Sequence, residues 1–169
     1  MSISFKTSGL NVVELENDIS FSERATLLER IPKILTPAVV ENLPPYFHGV
    51  DSVELADAWL TQMLSESRLL LVYSIAHKLI GFLFVHVESD NEVHIGYLLA
   101  EEYWGKGLAS ELLQGFIEVV SKDQLWKTLV GGVDKANVAS ARLLKKHGFI
   151  EQQRCSGGAT TYVFTIPRP

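Results

Sequence analysis

Cysteine, long apolar runs and clusters of basic residues are scarce in this sequence, and each scarcity excludes a class of protein. The single cysteine, Cys155, cannot form an internal disulfide or a multi-thiolate metal site, which excludes a disulfide-rich secreted scaffold and a zinc ribbon. No segment approaches about 18 consecutive apolar residues, and the N-terminus lacks the apolar stretch of a signal peptide. We therefore expect a cytoplasmic protein without a metal site or a membrane contact.

The net charge and the length of the chain narrow the class further. The formal net charge is −5, and no run of lysine or arginine supplies the basic surface of a nucleic-acid-binding protein. The 169 residues, 47% of them hydrophobic, suit one packed α/β domain that spans residues 1–169. No nucleic-acid partner is expected, and the oligomeric state is left open between a monomer and a homodimer.

The first part of the sequence predicts one strand followed by three helices. A β-branched run predicts the strand at residues 10–15, and helical spacing predicts a helix at residues 22–31 that stops before Pro32. The Thr36-Pro37 pair predicts the start of a shorter helix that ends at Pro44 and Pro45. A third helix follows Asp51 and is capped by Ser52; its predicted apolar stripe consists of Leu55, Trp59, Leu60, Met63 and Leu64.

The rest of the sequence predicts a meander of strands and then alternating helices and strands. The meander comprises strands at residues 69–76, 79–88 and 92–99. Helices at residues 107–121 and 137–147 then alternate with strands at residues 127–133, 149–155 and 160–166. This order predicts an α/β (α+β) fold in which helices cover both faces of a mixed, largely antiparallel central sheet.

A glycine-containing turn after the third meander strand is the first candidate site. The predicted strand ends near Leu99, glycines follow at Gly105 and Gly107, and a helix then begins with free amides in its first turn. Unpaired N–H groups and the helix dipole favour a phosphate or pyrophosphate there, and Lys106 adds a positive charge. The spacing fits neither a P-loop nor a Rossmann fingerprint, since Ser110 stands where the third Rossmann glycine would be. The alternative is a loop that only turns the chain.

A second segment favours the site over the simple turn. It is a predicted helix that opens at Asn137 and stops at Gly148. Together the two segments resemble the GNAT superfamily of acetyl-CoA-dependent N-acetyltransferases, and most closely its branch of ribosomal-protein alanine acetyltransferases, RimJ and RimL. Residues 104–109 match the pattern Gln/Arg-x-x-Gly-x-Gly/Ala, except that Trp104 replaces the polar first residue. The second pattern is met at Asn137, Ser140, Leu143, Lys146, Gly148 and Phe149.

The resemblance implies how acetyl-CoA would be held. The strand end at residues 97–99 would splay from its neighbour at the acyl-CoA cleft, and the pantetheine arm would bond to its exposed backbone. The amides of residues 105–110 would cradle the pyrophosphate. Asn137 would contact the pantetheine arm or the thioester, or cap its helix, or do both. The implied cofactor-binding residues are Leu98, Leu99, Trp104, Gly105, Lys106, Gly107, Leu108, Ala109, Ser110 and Asn137.

The hairpin at residues 82–99 carries the candidate base. A lysine-like amine is neutral about once in 2,500 molecules at pH 7 and an α-amine about once in seven, so a base matters more for side-chain amines. A three-residue loop between the strands would place His86 opposite His94 and Glu88 opposite Glu92, whereas a two-residue loop would destroy that arrangement. His94 is the predicted base. The alternative is a partly buried histidine with local hydrogen bonds.

The proton donor for the departing thiolate is harder to assign. Many GNAT enzymes have a tyrosine where this chain has Leu144, which removes the usual donor. Ser140 lies one helical turn after Asn137 on the same face and is the predicted acid; the alternative is an ordinary helix serine. A covalent acetyl-enzyme at Cys155 is not expected, because no base lies near it in sequence.

The resemblance predicts an N-acetyltransferase that passes the acetyl group directly from acetyl-CoA to a primary amine in a ternary complex. The alternative is a CoA-binding sensor or interaction module that has lost the chemistry, and its motivating departures are Trp104 and Leu144. The acceptor, a protein N-terminus or a small-molecule amine, would be specified by the first half, where residues 44–48 are expected to form a rim over the substrate side.

Overall fold

An eight-stranded sheet forms the centre of the molecule in a computed structural model that describes residues 2–156 and 158–168, without the side chains of residues 153–156. The strands are β1 (Ser4–Lys6), β2 (Leu10–Glu14), β3 (Arg68–Ser74), β4 (Leu79–Ser89), β5 (Glu92–Leu99), β6 (Thr128–Asp134), β7 (Ile150–Ser156) and β8 (Ala159–Thr165). Their order across the sheet is β1-β2-β3-β4-β5-β6-β8-β7. All neighbours are antiparallel except β5 and β6, which confirms the predicted mixed, largely antiparallel sheet.

Helices in the described chain cover both faces of this sheet, as predicted. Between β2 and β3 lie α1 (Phe21–Ile34), α2 (Pro37–Val40) and α3 (Val53–Glu66); α4 (Leu108–Asp123) connects β5 to β6, and α5 (Val138–Lys146) connects β6 to β7. The crossover through α4 is what allows β5 and β6 to run parallel. Short 3₁₀ turns lie at Pro45–Phe47 and Glu101–Tyr103. In the described chain, no helix combines the length and apolar content that crossing a lipid bilayer requires.

Strand alternation divides the apolar core between the two faces. Leu83 and Leu99 point to the face covered by α4 and α5, whereas Phe82 and Leu98 point to the face covered by α1, α2 and α3. The four side chains are between 0% and 6% exposed, so β4 and β5 are buried on both sides. Strand β5 is therefore a rigid support for the glycine turn that follows it.

The region before α3 differs from the sequence prediction in three respects. Strand β1 was not predicted, since three residues are too few for a periodic signal. Helix α1 does not stop before Pro32 but continues to Ile34, because Ile31 and Ile34 are fully buried and their packing outweighs the hydrogen bond that proline removes. Helix α2 ends at Val40 and not at Pro44, which lies at the start of the 3₁₀ turn.

Helix α3 is capped as predicted but buries a different stripe. The Ser52 side chain accepts a hydrogen bond from the Leu55 backbone N–H, at 3.2 Å. The Leu55 side chain is 47% exposed, so its assignment to the apolar stripe was wrong, and Leu64 is only partly buried. The buried positions repeat at helical spacing and are Ala56, Trp59, Leu60 and Met63.

The β4–β5 hairpin has a two-residue loop, Asp90-Asn91, and a bulge that restores the predicted histidine pairing. His86 lies opposite His94 as predicted. Glu88 does not lie opposite Glu92, which is a correction: Ser89 takes that place, and the register shifts between Val87 and Ser89. The extra residue of the bulge compensates for the shorter loop as far as the histidines, so the two-residue loop keeps the histidine pair and destroys only the glutamate pair.

Candidate active site

Strands β5 and β6 separate halfway along their length, as the resemblance implied. Their pairing runs from Glu92–Thr128 to Ile95–Gly131 and goes no further. Residues 96–99 of β5 remain paired with β4 on the other side. The gap between the two strands, which we call the splay, therefore exposes one edge of β5 backbone in the middle of the sheet.

The glycine turn after β5 leaves its backbone open to a ligand. Gly105 has φ +73° and Gly107 has φ +77°, a left-handed region that favours glycine. A Cβ at either position would meet nothing within 4 Å, so the backbone faces open space. Gly107 is the N-cap residue of α4. Within the described chain the backbone N–H groups of residues 105–110 have no acceptor, and the first N–H to bond within the helix is that of Glu111, which donates to the Gly107 carbonyl. These residues fit a pyrophosphate at the N-terminus of a 16-residue helix.

Trp104 and Lys106 hold positions beside this loop that the sequence did not define. The Trp104 indole N–H donates to the Leu99 carbonyl at 2.8 Å. Trp104, which replaces the polar residue of the family pattern, therefore bonds the loop to the end of β5. The Lys106 ammonium lies 5.5 Å above the centre of the Tyr103 ring. This cation–π contact holds a positive charge at the mouth of the loop.

The first turn of α4 meets the end of α5 through a polar network. The Ser110 hydroxyl lies 2.8 Å from Nε2 of His147 and 3.4 Å from the Lys146 ammonium. His147 Nδ1 lies 3.2 Å from the Gln114 side-chain oxygen. Burial, together with the charge of Lys146, lowers the pKa of His147. His147 was not a sequence candidate, and only its place just before Gly148 could have drawn attention to it.

Asn137 acts as a helix cap, one of its two predicted roles. Its side-chain oxygen accepts a hydrogen bond from the Ser140 backbone N–H at 3.2 Å. The cap leaves the Asn137 amide NH₂ group available for a ligand, because the cap uses only the carbonyl oxygen. Contact with the pantetheine arm stays a prediction.

A cleft of about 510 Å³ lies between α3, the Pro45–Phe47 turn and strands β4 and β5. Its apolar wall includes Phe47 and Phe84, whose rings meet edge to face at 5.5 Å. Glu66 is among the described residues that line it, and lysine and arginine are not. The cleft reaches the splay, where it is lined by Ile95, Gly96, Tyr97, Leu98 and Gly132. Of the predicted rim, Pro44, Tyr46 and Phe47 line this cleft.

Two histidines face each other at the polar end of the cleft. The ring centres of His86 and His94 are 6.4 Å apart. Both ring nitrogens of His86 have partners, the Glu66 carbonyl at 2.8 Å and the Glu88 carboxylate at 2.8 Å, and these raise the pKa of His86. His94 Nε2 lies 3.2 Å from the Glu92 carboxylate, whereas its Nδ1 has no hydrogen-bond partner in the part of the chain that the structure describes.

On the opposite face of β5, Tyr97 and Ser140 form a hydrogen-bonded pair. Their hydroxyl oxygens are 2.9 Å apart, although the residues lie on different elements. Burial raises the pKa of Tyr97, and the hydrogen bond with Ser140 opposes that shift. The sequence predicted Tyr97 only as part of the strand end, because no local pattern connects Tyr97 to Ser140.

The Cys155 side chain lies outside the described residues, so its lack of a catalytic role stays a prediction. Among the described residues, no group of three or more histidine, cysteine, aspartate or glutamate side chains could hold a metal ion.

Comparisons with known proteins agree with this geometry. The family model described as an acetyltransferase (GNAT) domain matches residues 25–150. A comparison with curated protein sequences found no significant match. A ribosomal-protein-S5-alanine acetyltransferase from Vibrio fischeri is similar in structure, with 19% identity, coverage of 97% of each chain and a TM-score of 0.74.

Two other solved structures are similar over nearly the whole chain. RimL, a ribosomal L7/L12 α-N-protein acetyltransferase in complex with coenzyme A, has 17% identity, covers 95% of this chain and 96% of its own, and has a TM-score of 0.74. The spermidine/spermine N-acetyltransferase SpeG from Vibrio cholerae has 16% identity, 94% and 95% coverage and a TM-score of 0.68. At these identities the likeness is one of fold, and the family rests on the domain match. Because that match spans most of the sequence, this chain belongs to the GNAT acetyltransferase domain family and is an acetyltransferase.

Proposed function

We propose that this chain is an acetyl-CoA-dependent N-acetyltransferase, a single domain of residues 1–169 that transfers the acetyl group directly to a primary amine. The observation that carries the proposal is the splay, which opens onto the histidine-lined cleft on the α3 face and lies along the strand that leads into the glycine loop. Acetyl-CoA along β5 and an amine in the cleft would then meet at the splay, as a ternary complex requires. The cytoplasmic location stays a prediction from the sequence.

The cofactor part of the proposal assigns acetyl-CoA to the loop and the splay. The amides of Gly105, Lys106, Gly107, Leu108, Ala109 and Ser110 would bind the pyrophosphate, and the β5 edge at Leu98 and Leu99 would bind the pantetheine arm. Trp104 would act indirectly, since its indole already donates to the Leu99 carbonyl. The coenzyme A in the RimL complex supports this choice of ligand.

His94 is the proposed base. If the Nε2 proton of His94 is donated to Glu92, the lone pair of Nδ1 is left to accept a proton from the amine, directly or through water. His86 is less suited, because both of its ring nitrogens have partners. The sequence motif assigns the supply of a proton to the thiolate to Ser140, whose hydroxyl lies 2.9 Å from that of Tyr97.

The acceptor is proposed to be a primary amine, either a protein N-terminal α-amine or a small-molecule amine. A wall that carries Glu66 without lysine or arginine favours an acceptor that arrives as an ammonium ion over an anionic one. The aromatic side chains of Tyr46, Phe47 and Phe84 would contact the group that carries the amine.

Calorimetric titration with acetyl-CoA, followed by thiol release with a panel of amines, tests the proposal. We expect binding at submillimolar concentration and thiol release that depends on the amine. No binding would refute the enzyme and the pyrophosphate loop together. Binding without amine-dependent turnover would instead favour the CoA-binding sensor.

The role of His94 has its own test. We expect His94→Gln to reduce kcat/KM more at about pH 6.5 than at about pH 9, since a larger share of the amine is neutral without help at the higher pH. His77→Asn in the β3–β4 turn is the control, because asparagine tolerates its φ of 61°. Equal losses at both pH values would mean that His94 acts by packing.

A further inference from the structure

The Tyr97–Ser140 pair lies at the point where the usual proton donor of this family is missing. Leu144 occupies that position and is 1% exposed. Its side chain packs over Gly131, which pairs with Ile95 in the last step before the splay. An apolar side chain thus covers the end of the paired region, where it has no proton to give.

Two observations, one on α5 and one on β5, place the Tyr97–Ser140 pair next to Leu144. Ser140 precedes Leu144 by four residues, so both lie on one face of α5. Tyr97 follows Ile95 by two residues, so both side chains lie on one face of β5, and Tyr97 lies just beyond the last pair with β6, Ile95–Gly131. The hydroxyl oxygens of Tyr97 and Ser140 lie 2.9 Å apart, so a hydrogen bond connects β5 to α5 at this point.

We propose that the Tyr97 hydroxyl donates the proton to the sulfur of the departing CoA thiolate, and that Ser140 positions Tyr97 and returns the proton. This inference rests on the proposed N-acetyltransferase function and deepens it. It assigns the protonation of the thiolate to Tyr97 of β5, whereas the sequence motif assigns that step to a residue of α5.

Proton transfers on the two faces of β5 keep the atoms and charges of the step in balance. The amine nitrogen bonds to the thioester carbonyl carbon and loses one proton to solvent through His94 on the α3 face. The carbon–sulfur bond breaks with its electron pair on sulfur, which takes the Tyr97 proton and leaves as a thiol. The Tyr97 phenolate then takes a proton from the Ser140 hydroxyl, which regains one from water.

The surroundings suit Tyr97 to this role. Burial raises the pKa of Tyr97, so the hydroxyl stays protonated throughout the neutral range in which the amine must react. The Ser140 hydroxyl is the one hydrogen-bond partner of the Tyr97 hydroxyl within the described residues. A phenol can donate a single hydrogen bond, so donation to sulfur requires Ser140 to act as the donor toward Tyr97.

Tyr97→Phe and Ser140→Ala test the proposal in steady-state kinetics. For Tyr97→Phe we expect kcat to fall about a hundredfold with little change in the KM for acetyl-CoA, the pattern of a group used only in the transition state. Ser140→Ala should lower kcat less, by about tenfold, because water can replace its hydroxyl. Tyr73→Phe is the matched control: it removes a partly buried phenol from β3, two strands away from β5 and on the opposite face of the sheet from Tyr97.

A binding measurement separates this proposal from the proposed function. Above the pKa of the thiol, wild type should bind CoA about tenfold more tightly than desulfo-CoA, whereas Tyr97→Phe should bind the two within about twofold. If Tyr97→Phe retains the full preference, or keeps wild-type kcat, Tyr97 is not the donor while the proposed function stands. If wild type binds CoA with this preference but acetylates no amine, the proposed function fails and the Tyr97–sulfur contact survives.

Discussion

Replacing Gly107 by aspartate tests the anion-binding loop through a single charge. Gly107 has φ 77° and ψ 7°, and a Cβ there would meet nothing within 4 Å. Aspartate and asparagine are nearly the same size and both tolerate this conformation better than other residues, at a shared cost of about 1 kcal/mol. The comparison of Gly107→Asp with Gly107→Asn therefore cancels the backbone strain and leaves the charge.

The expected magnitude follows from Coulomb's law. A carboxylate at about 6 Å from one phosphate charge is repelled by roughly 3 kcal/mol at an effective dielectric constant of about 20, and salt reduces this by about half. The affinity for CoA should therefore fall about 10- to 100-fold from the asparagine to the aspartate variant. In the absence of CoA the sign is opposite, because a carboxylate at a helix N-terminus stabilises the helix by about 0.3–1 kcal/mol.

The assay combines calorimetric titration with CoA and thermal unfolding of the free protein. The aspartate variant should unfold at the same or a higher temperature than the asparagine variant and yet bind CoA more weakly, and raising the salt concentration should narrow the gap in affinity. A lower unfolding temperature for the aspartate variant than for the asparagine variant would refute the premise that the two share one backbone cost and differ only in charge. Equal affinity of the two variants for CoA would remove this loop from the site.

Two further predictions concern the frame that carries the site. The Glu111 carboxylate accepts hydrogen bonds from the Thr7 hydroxyl and the Gly9 N–H, and the Thr7 bond is the main cause of its lowered pKa. The Glu111 carboxylate therefore stabilises the fold above its unfolded pKa of about 4.5, and this stabilisation is lost as the pH falls through the lower pKa of the folded state. In urea unfolding at neutral pH, Glu111→Gln should lower the free energy of unfolding by about 1–2 kcal/mol, and its stability should fall less steeply than that of wild type as the pH is lowered. An unchanged dependence of stability on acidic pH would contradict this. A Cβ at Gly81 would lie 2.2 Å from the Leu98 carbonyl oxygen, so Gly81→Ala should cost about 2 kcal/mol or more, while Gly132→Ala, with nothing within 4 Å, should unfold like wild type. Similar melting of the two alanine variants would refute the clash.

The order of elements could be predicted because it depends on local patterns, whereas their ends depended on tertiary packing. Alternating apolar residues and turn residues defined the β3–β4–β5 meander, and the loop after β5 carried its own glycine signal. Pro32 was misleading because proline propensity is local, while the burial of Ile34 that carries α1 past it is not. The bulge beyond Val87 could not be predicted either, since nothing in the sequence determines which residue of a hairpin is left unpaired.

The candidate site divides in the same way. The glycine loop and the Asn137 cap are contiguous in sequence, so a motif could define them. The contact between Tyr97 and Ser140 joins residues 43 positions apart, and that between Ser110 and His147 joins residues 37 apart. A single sequence gives no register between a strand and a distant helix, so such pairs become visible only in the folded chain.

The parity of β5 explains why the proposed base and the proposed acid must lie on opposite faces of the sheet. His94 shares its face with Leu98 toward α3, and Tyr97 shares its face with Ile95 toward α5. In a fully paired sheet the two side chains could not reach one carbonyl group, because the backbone of the strands would separate them. The end of pairing at Ile95–Gly131 removes that barrier. A thioester placed in the splay would then lie between a proton acceptor on the acceptor side and a proton donor on the other, so the interruption of the sheet would itself create the active site.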